Sequence, residues 1–130
     1  DEMEDLAKVA VTLSAQAKLP YQKEMDLRDA TLIAEGEELL VDDFACIDCH
    51  QFVEPDDEAS APDLTGYGSK EWLTAIIADP AHDRFYGSKN DRMPSFGKDN
   101  KLTEFEIGLI VDWLRRDYYE PSEVPKAQGH

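Results

Sequence analysis

The sequence predicts an all-α fold, and three observations carry that reading. Apolar residues recur at three- and four-residue steps in separate segments near residues 5–18, 29–41, 70–78 and 103–119. Prolines and helix-capping residues bound those segments. No stretch alternates apolar with polar residues as a half-buried strand would. At 130 residues the chain suits one compact domain with some extension.

In the first segment, Leu6, Val9, Ala10, Leu13 and Ala17 form one face. Pro20 ends it, because a residue before proline is pushed out of the helical region. Residues 20–28 read as a connector. The second helix, Asp29 to Val41, places Leu32, Ile33, Gly36, Leu39 and Leu40 on a stripe. The short turn Cys46–His50 follows, then an acidic loop over Glu54–Glu58. A third helix is expected over Lys70–Ala78, with Ser69 as N-cap and Glu71 suiting the positive end of the helix. Asp79-Pro80 stops it, and residues 80–101 form a long irregular stretch of the kind that is either functional or disordered. The last helix has a capping box, Thr103 with Glu106, and a hydrophobic staple, Leu102 with Ile107. Its stripe is Ile107, Ile110, Val111, Leu114 and Tyr118, with Trp113 at the border. Pro121 closes it, leaving 121–130 as an expected flexible tail.

The formal net charge is −16, which argues against nucleic acid or anionic lipid as a partner, since both attract Lys and Arg. It favours solubility, or a partner with a basic docking surface. No apolar run approaches the roughly 20 residues of a membrane span. The acidic N-terminus lacks the pattern of a signal peptide, so either a signal or anchor has been removed or the chain is a piece of a longer one.

The chain has two cysteines, and both lie in Cys46-Ile47-Asp48-Cys49-His50. This is C-x-x-C-H, the attachment pattern for a covalent c-type haem. Residues three and four apart share a face of a helical turn, so both sulfurs can reach the two vinyl groups while His50 brings its imidazole to the iron. A structural zinc site usually takes four ligands in two Cys/His pairs, and the chain, with only His50, His82 and His130 besides, has no second pair. A thioredoxin-like redox pair belongs to a βαβ pattern, which is absent.

Around that motif, residues 29–119 resemble a class I monohaem cytochrome c. The resemblance rests on Gly36 in the preceding helix, Pro62-Asp63-Leu64-Thr65-Gly66 after the motif, Met93 in Arg92-Met93-Pro94-Ser95-Phe96-Gly97, and the final helix, all in the family's order. It implies a class I cytochrome c-like helical fold around one covalent haem c, with residues 1–28 as a helical extension and 29–120 as the haem domain. It also implies that the Pro62 carbonyl accepts a hydrogen bond from the ligating imidazole of His50. Gly36 is expected to let its helix cross the last one near Leu109, Ile110 and Trp113, or to be a tolerated helix glycine. Trp72 either points its indole N–H at a haem propionate or serves as a core aromatic.

The expected sixth ligand is Met93, a soft thioether in a loop that can fold over the haem face. His82 in the same stretch is the rival, whereas Met3, Met25 and His130 lie outside the resemblance. The function expected is one-electron transfer, without catalysis, on the periplasmic or extracytoplasmic face of a bacterial membrane. The chain would be a soluble carrier or the soluble domain of a membrane respiratory complex. The stretch Tyr86–Pro94 is similar to haem domains of quinol:cytochrome c oxidoreductases. The alternative is a haem sensor or catalyst with an open sixth position.

Overall fold

Residues 1–123 are described by the computed structural model, and they form an all-α molecule. The Asp1 carboxylate accepts the Met3 N–H and opens α1 (Glu2–Gln16), whose first turn carries Glu2, Glu4 and Asp5 at the positive end of the helix. The connector after Pro20 is a 3₁₀ turn, Pro20–Gln22, and a short helix, α2 (Lys23–Arg28). α3 (Ala30–Glu38) continues into a wider π turn at Leu39–Asp43, and a 3₁₀ turn follows at Cys46–Asp48. α4 spans Lys70–Ala78 and α5 spans Glu104–Leu114. Extended pairing among the described residues is limited to isolated bridges, His50 with Ala61 and Phe52 with Glu54. No helix among these residues is long and apolar enough to cross a membrane. Of the expected tail, Pro121–Glu123 is a 3₁₀ turn, and 124–130, with His130, lie outside the described residues.

The capping signals act as read. Ser69 Oγ accepts the Trp72 N–H, and both arms of the Thr103–Glu106 box are made. The last helix, however, stops at Leu114 instead of reaching residue 119. Arg116 turns to φ 57°, and Arg115 is drawn inward until only 5% of it is exposed. Its Nη1 donates to the carbonyls of Ala17 (2.6 Å) and Gly68 (2.8 Å), and its Nη2 to that of Lys18 (3.2 Å). A helix leaves its last carbonyls without internal partners, and here an arginine from the end of α5 serves those just past α1.

Gly36 does mark a close helix crossing, but the partner differs from the expected one. A Cβ at Gly36 would lie 2.2 Å from both the Lys8 carbonyl oxygen and Thr12 Oγ1. The helix therefore crosses α1, not the last helix, and α1 and α3 pack along their length. Thr12, fully buried, donates from Oγ1 to the Ile33 carbonyl (2.7 Å), and Lys8 pairs with Glu35 (2.8 Å). The Glu35 carboxylate that bonds Lys8 holds its ammonium above the ordinary value. On α5, Ile107 and Val111 are buried, while Ile110, Trp113 and Leu114 are exposed because α4 covers one side of the helix.

Two apolar clusters result. One joins Val9 of α1 to Leu40 and Phe52, with Phe44, Cys46, Ile47 and Leu64 against it. The other gathers Trp72, Ile76 and Ile77 of α4, Phe85, and Ile107 and Val111 of α5, with Met93 and Phe96 against it.

Candidate functional site

Ala45, at φ 49°, turns the chain out of the π turn and into the C-x-x-C-H segment. The N–H groups of Cys49 (3.2 Å) and His50 (3.0 Å) both donate to the Cys46 carbonyl, so the pentapeptide closes on itself. Cys46 is half-buried against the first cluster, Cys49 is exposed, and the two are not joined in a disulfide. One tight turn thus holds both sulfurs and the histidine.

His50 is half-buried, and its Nδ1 lies 2.6 Å from the Pro62 carbonyl oxygen. A carbonyl only accepts, so Nδ1 carries a proton, and in the neutral ring Nε2 keeps the lone pair. Backbone bonds on either side secure the contact. Cys49 O accepts from Ser60 N (3.0 Å) and Ala61 N (2.9 Å), and Gln51 O accepts from Leu64 N (2.9 Å). The resemblance implied this contact of His50 with Pro62.

Asp63 follows Pro62 and is 5% exposed. Its Oδ1 accepts the Thr65 N–H (2.8 Å), and its Oδ2 accepts from Arg84 Nε (3.1 Å) and Gln51 Nε2 (3.3 Å). Its own N–H donates to the Arg84 carbonyl (2.8 Å). Trp72 completes the set, donating its indole N–H to the Asp63 carbonyl (2.8 Å). Trp72 is therefore a core aromatic, packed edge-on against Tyr67 and Phe85, with its one polar hydrogen committed to the backbone and not directed at a propionate.

Met93 is half-buried against the second cluster. Its loop is held at both ends. Asn90 Nδ2 donates to the Met93 carbonyl (3.0 Å), and the N–H groups of Phe96, Gly97 and Lys98 take the free carbonyls of Ile77 and Ala78 at the end of α4. Gly97 makes this approach possible, since a Cβ there would lie 2.8 Å from Ala78 Cβ. His82 is exposed, and its Nδ1 accepts the Arg84 N–H (3.0 Å), so in the neutral ring the proton sits on Nε2.

A cleft of about 940 Å³ opens between the loop at 56–61 and the segment 83–89. It reaches Gln51, Ala61 and Asp63, the chain neighbours of His50 and Pro62, yet none of Cys46, Cys49, His50 or Met93 lines it. Its charged lining is five carboxylates, those of Asp56, Asp57, Glu58, Asp63 and Asp83, together with Arg84 and Lys89. Among the described residues, no three His, Cys, Asp or Glu side chains converge as a metal cage.

The roles of Gln51, Asp63 and Arg84 were not legible beforehand. Asp63 two residues before Thr65 is a local turn signal, but Arg84 lies 21 residues further on and nothing near it points back. In comparisons with family models, curated proteins and solved structures, this chain matches none.

Proposed function

We propose that the protein transfers single electrons through one haem c attached at Cys46 and Cys49. The observation that carries this reading is the His50–Pro62 contact, because in the neutral ring it turns Nε2 into the acceptor nitrogen, in the same tight turn as both cysteines. In this reading Cys46 and Cys49 would hold the haem as thioethers, each S–H adding across one vinyl group with its sulfur on one carbon and its hydrogen on the neighbour. His50, through Nε2, and Met93, through its sulfur, would hold the iron, within a class I cytochrome c-like domain. The haem would supply a reversible one-electron couple at iron.

What the chain's own residues do follows from their surroundings. Pro62 holds the proton on Nδ1 and raises the basicity of the ring. Met93 stands against an apolar cluster where a soft thioether suits ferrous iron. His82, with Nε2 protonated and its ring at the surface, is the poorer ligand. Trp72 supports the Pro62–Asp63 turn from the core side. If His50 and Met93 both held the iron, it would have no place for a substrate, which would favour a carrier or respiratory-complex domain over a sensor or catalyst. Covalent attachment through C-x-x-C-H is in keeping with the extracytoplasmic side of a bacterial membrane.

Intact mass under denaturing conditions tests the proposal. The expected value is the polypeptide plus one haem, with no thiol free to react. A bare polypeptide mass with two reactive thiols, in cells competent for c-type haem attachment, rejects it.

A further inference from the structure

We propose that the ion pair of buried Asp63 with half-buried Arg84, braced by Gln51, is a positioning device that holds the Pro62 carbonyl on His50 Nδ1 and so sets the reduction potential. The inference rests on the reading of His50 as an iron ligand, and it assigns a role to groups that touch neither the imidazole nor the thiols.

Pro62 cannot anchor itself, since proline has no backbone N–H and a carbonyl alone does not fix the plane of its peptide. The next residue supplies the anchor. The Pro62 carbonyl belongs to the peptide unit whose nitrogen is that of Asp63, and this N–H donates to the Arg84 carbonyl at 2.8 Å. The direction of the Pro62 carbonyl is thereby tied to residue 84. The Asp63 side chain makes the tie two-sided, with Arg84 Nε at 3.1 Å on Oδ2. Only 7% of the Asp63 side chain and 27% of that of Arg84 are exposed, so this pair is shielded in a way the surface pairs are not.

Gln51 closes the loop from the other side. It follows His50, donates to Asp63 Oδ2 and accepts the Asp56 N–H at 3.0 Å. Imidazole and carbonyl are thus both referred to one buried carboxylate. A hydrogen bond that raises the basicity of a ligating ring stabilises ferric iron, so a slackened bond raises the potential.

This sign separates positioning from plain electrostatics. Removing a positive charge near a redox centre lowers its potential through the field alone. Arg84→Gln removes that charge, but positioning predicts the opposite, a rise. The experiment uses the full chain carrying its haem, with folding checked by circular dichroism and haem content by mass. The potential is read by spectroelectrochemistry, and solvent exchange of the His50 Nδ1 proton is read by NMR in the reduced state.

The expected result for Arg84→Gln is a raised potential with exchange faster by up to roughly tenfold, the factor that the usual net worth of one hydrogen bond corresponds to. Asp63→Asn, close in shape and still able to accept the Thr65 N–H, is expected to speed exchange likewise, and it decides the matter if Arg84→Gln does not fold. A lowered potential with unchanged exchange in Arg84→Gln, or unchanged exchange in a folded Asp63→Asn, overturns the inference. Failure of the haem reading is seen separately in the mass. The exchange measurement then still decides the positioning of His50, because the Nδ1–carbonyl contact is made by the polypeptide alone.

Discussion

Two histidines show how the partner of one nitrogen decides what the other can do. His50 faces a carbonyl and must donate, whereas His82 faces an N–H and must accept. In the neutral ring the same side chain is left with a lone pair on Nε2 in one case and a proton in the other. Under the proposed haem attachment, Met93 is the residue expected to hold the iron opposite His50. Met93→Ala should open the sixth position, shift the iron towards high spin, permit carbon monoxide binding and lower the reduction potential, because a ligand favouring ferrous iron is lost. His82→Ala should leave the visible spectrum unchanged. A spectrum that responds to His82→Ala and not to Met93→Ala would reverse the assignment. Trp72 also gives a prediction at this scale. Trp72→Phe keeps much of the apolar bulk but strands the buried Asp63 carbonyl, and a destabilisation of about 1–3 kcal/mol is expected in urea unfolding. No measurable loss would mean that the carbonyl finds water or another donor.

At the scale of helices, the crossing of α1 and α3 is set by what Gly36 lacks. Alanine would favour the helix itself by about 1 kcal/mol. Its Cβ, however, would overlap the Lys8 carbonyl and Thr12 Oγ1, and the former is backbone that cannot swing aside. The helices must separate, which also threatens the Thr12–Ile33 bond. Gly36→Ala is therefore expected to destabilise the fold by about 1–3 kcal/mol despite the better propensity, the usual range for overpacking. The check is the urea midpoint, and a rise in that midpoint would place the crossing elsewhere. The end of α4 follows a related logic. Its free carbonyls attract the N–H groups of residues 96–98, and this capping brings the Met93 loop down beside the helix.

For the molecule as a whole, the formal net charge is −16, and part of it lies in the acidic loop that follows Cys46–His50. The acidic loop at 54–58 is tied to the turn through the bond from Asp56 N–H to Gln51 Oε1, whereas Glu104 and Glu106 open the last helix. Electron exchange with a basic redox partner should slow as salt is added, from an encounter rate raised by roughly 10–10³-fold at low ionic strength. With a Debye length of about 8 Å at physiological salt, charges near the contact dominate. Neutralising Glu54, Asp57 and Glu58 should therefore flatten the salt dependence more than neutralising Glu104 and Glu106, as stopped-flow rates at several ionic strengths would show. A rate constant independent of salt would reject steering and favour transfer within a standing complex.

Local chemistry was readable residue by residue. The C-x-x-C-H spacing, the Ser69 cap, the Thr103–Glu106 box and the bounds of α4 depend on groups within four positions of one another, so a linear reading finds them. The pairing of His50 with Pro62, twelve positions apart, was reached through family resemblance and not through local physics. The partners of Gly36, Arg115 and Asp63 were out of reach. A helix glycine permits a close approach without naming what approaches, and a buried arginine or aspartate reads in sequence like one in solvent. Those choices were made when α1, rather than α5, filled the space above Gly36 and when residues 84 and 115 came to rest beside chain segments 21 and 98 positions away. Hydrogen-bonding demand is local, but burial decides which distant group must answer it.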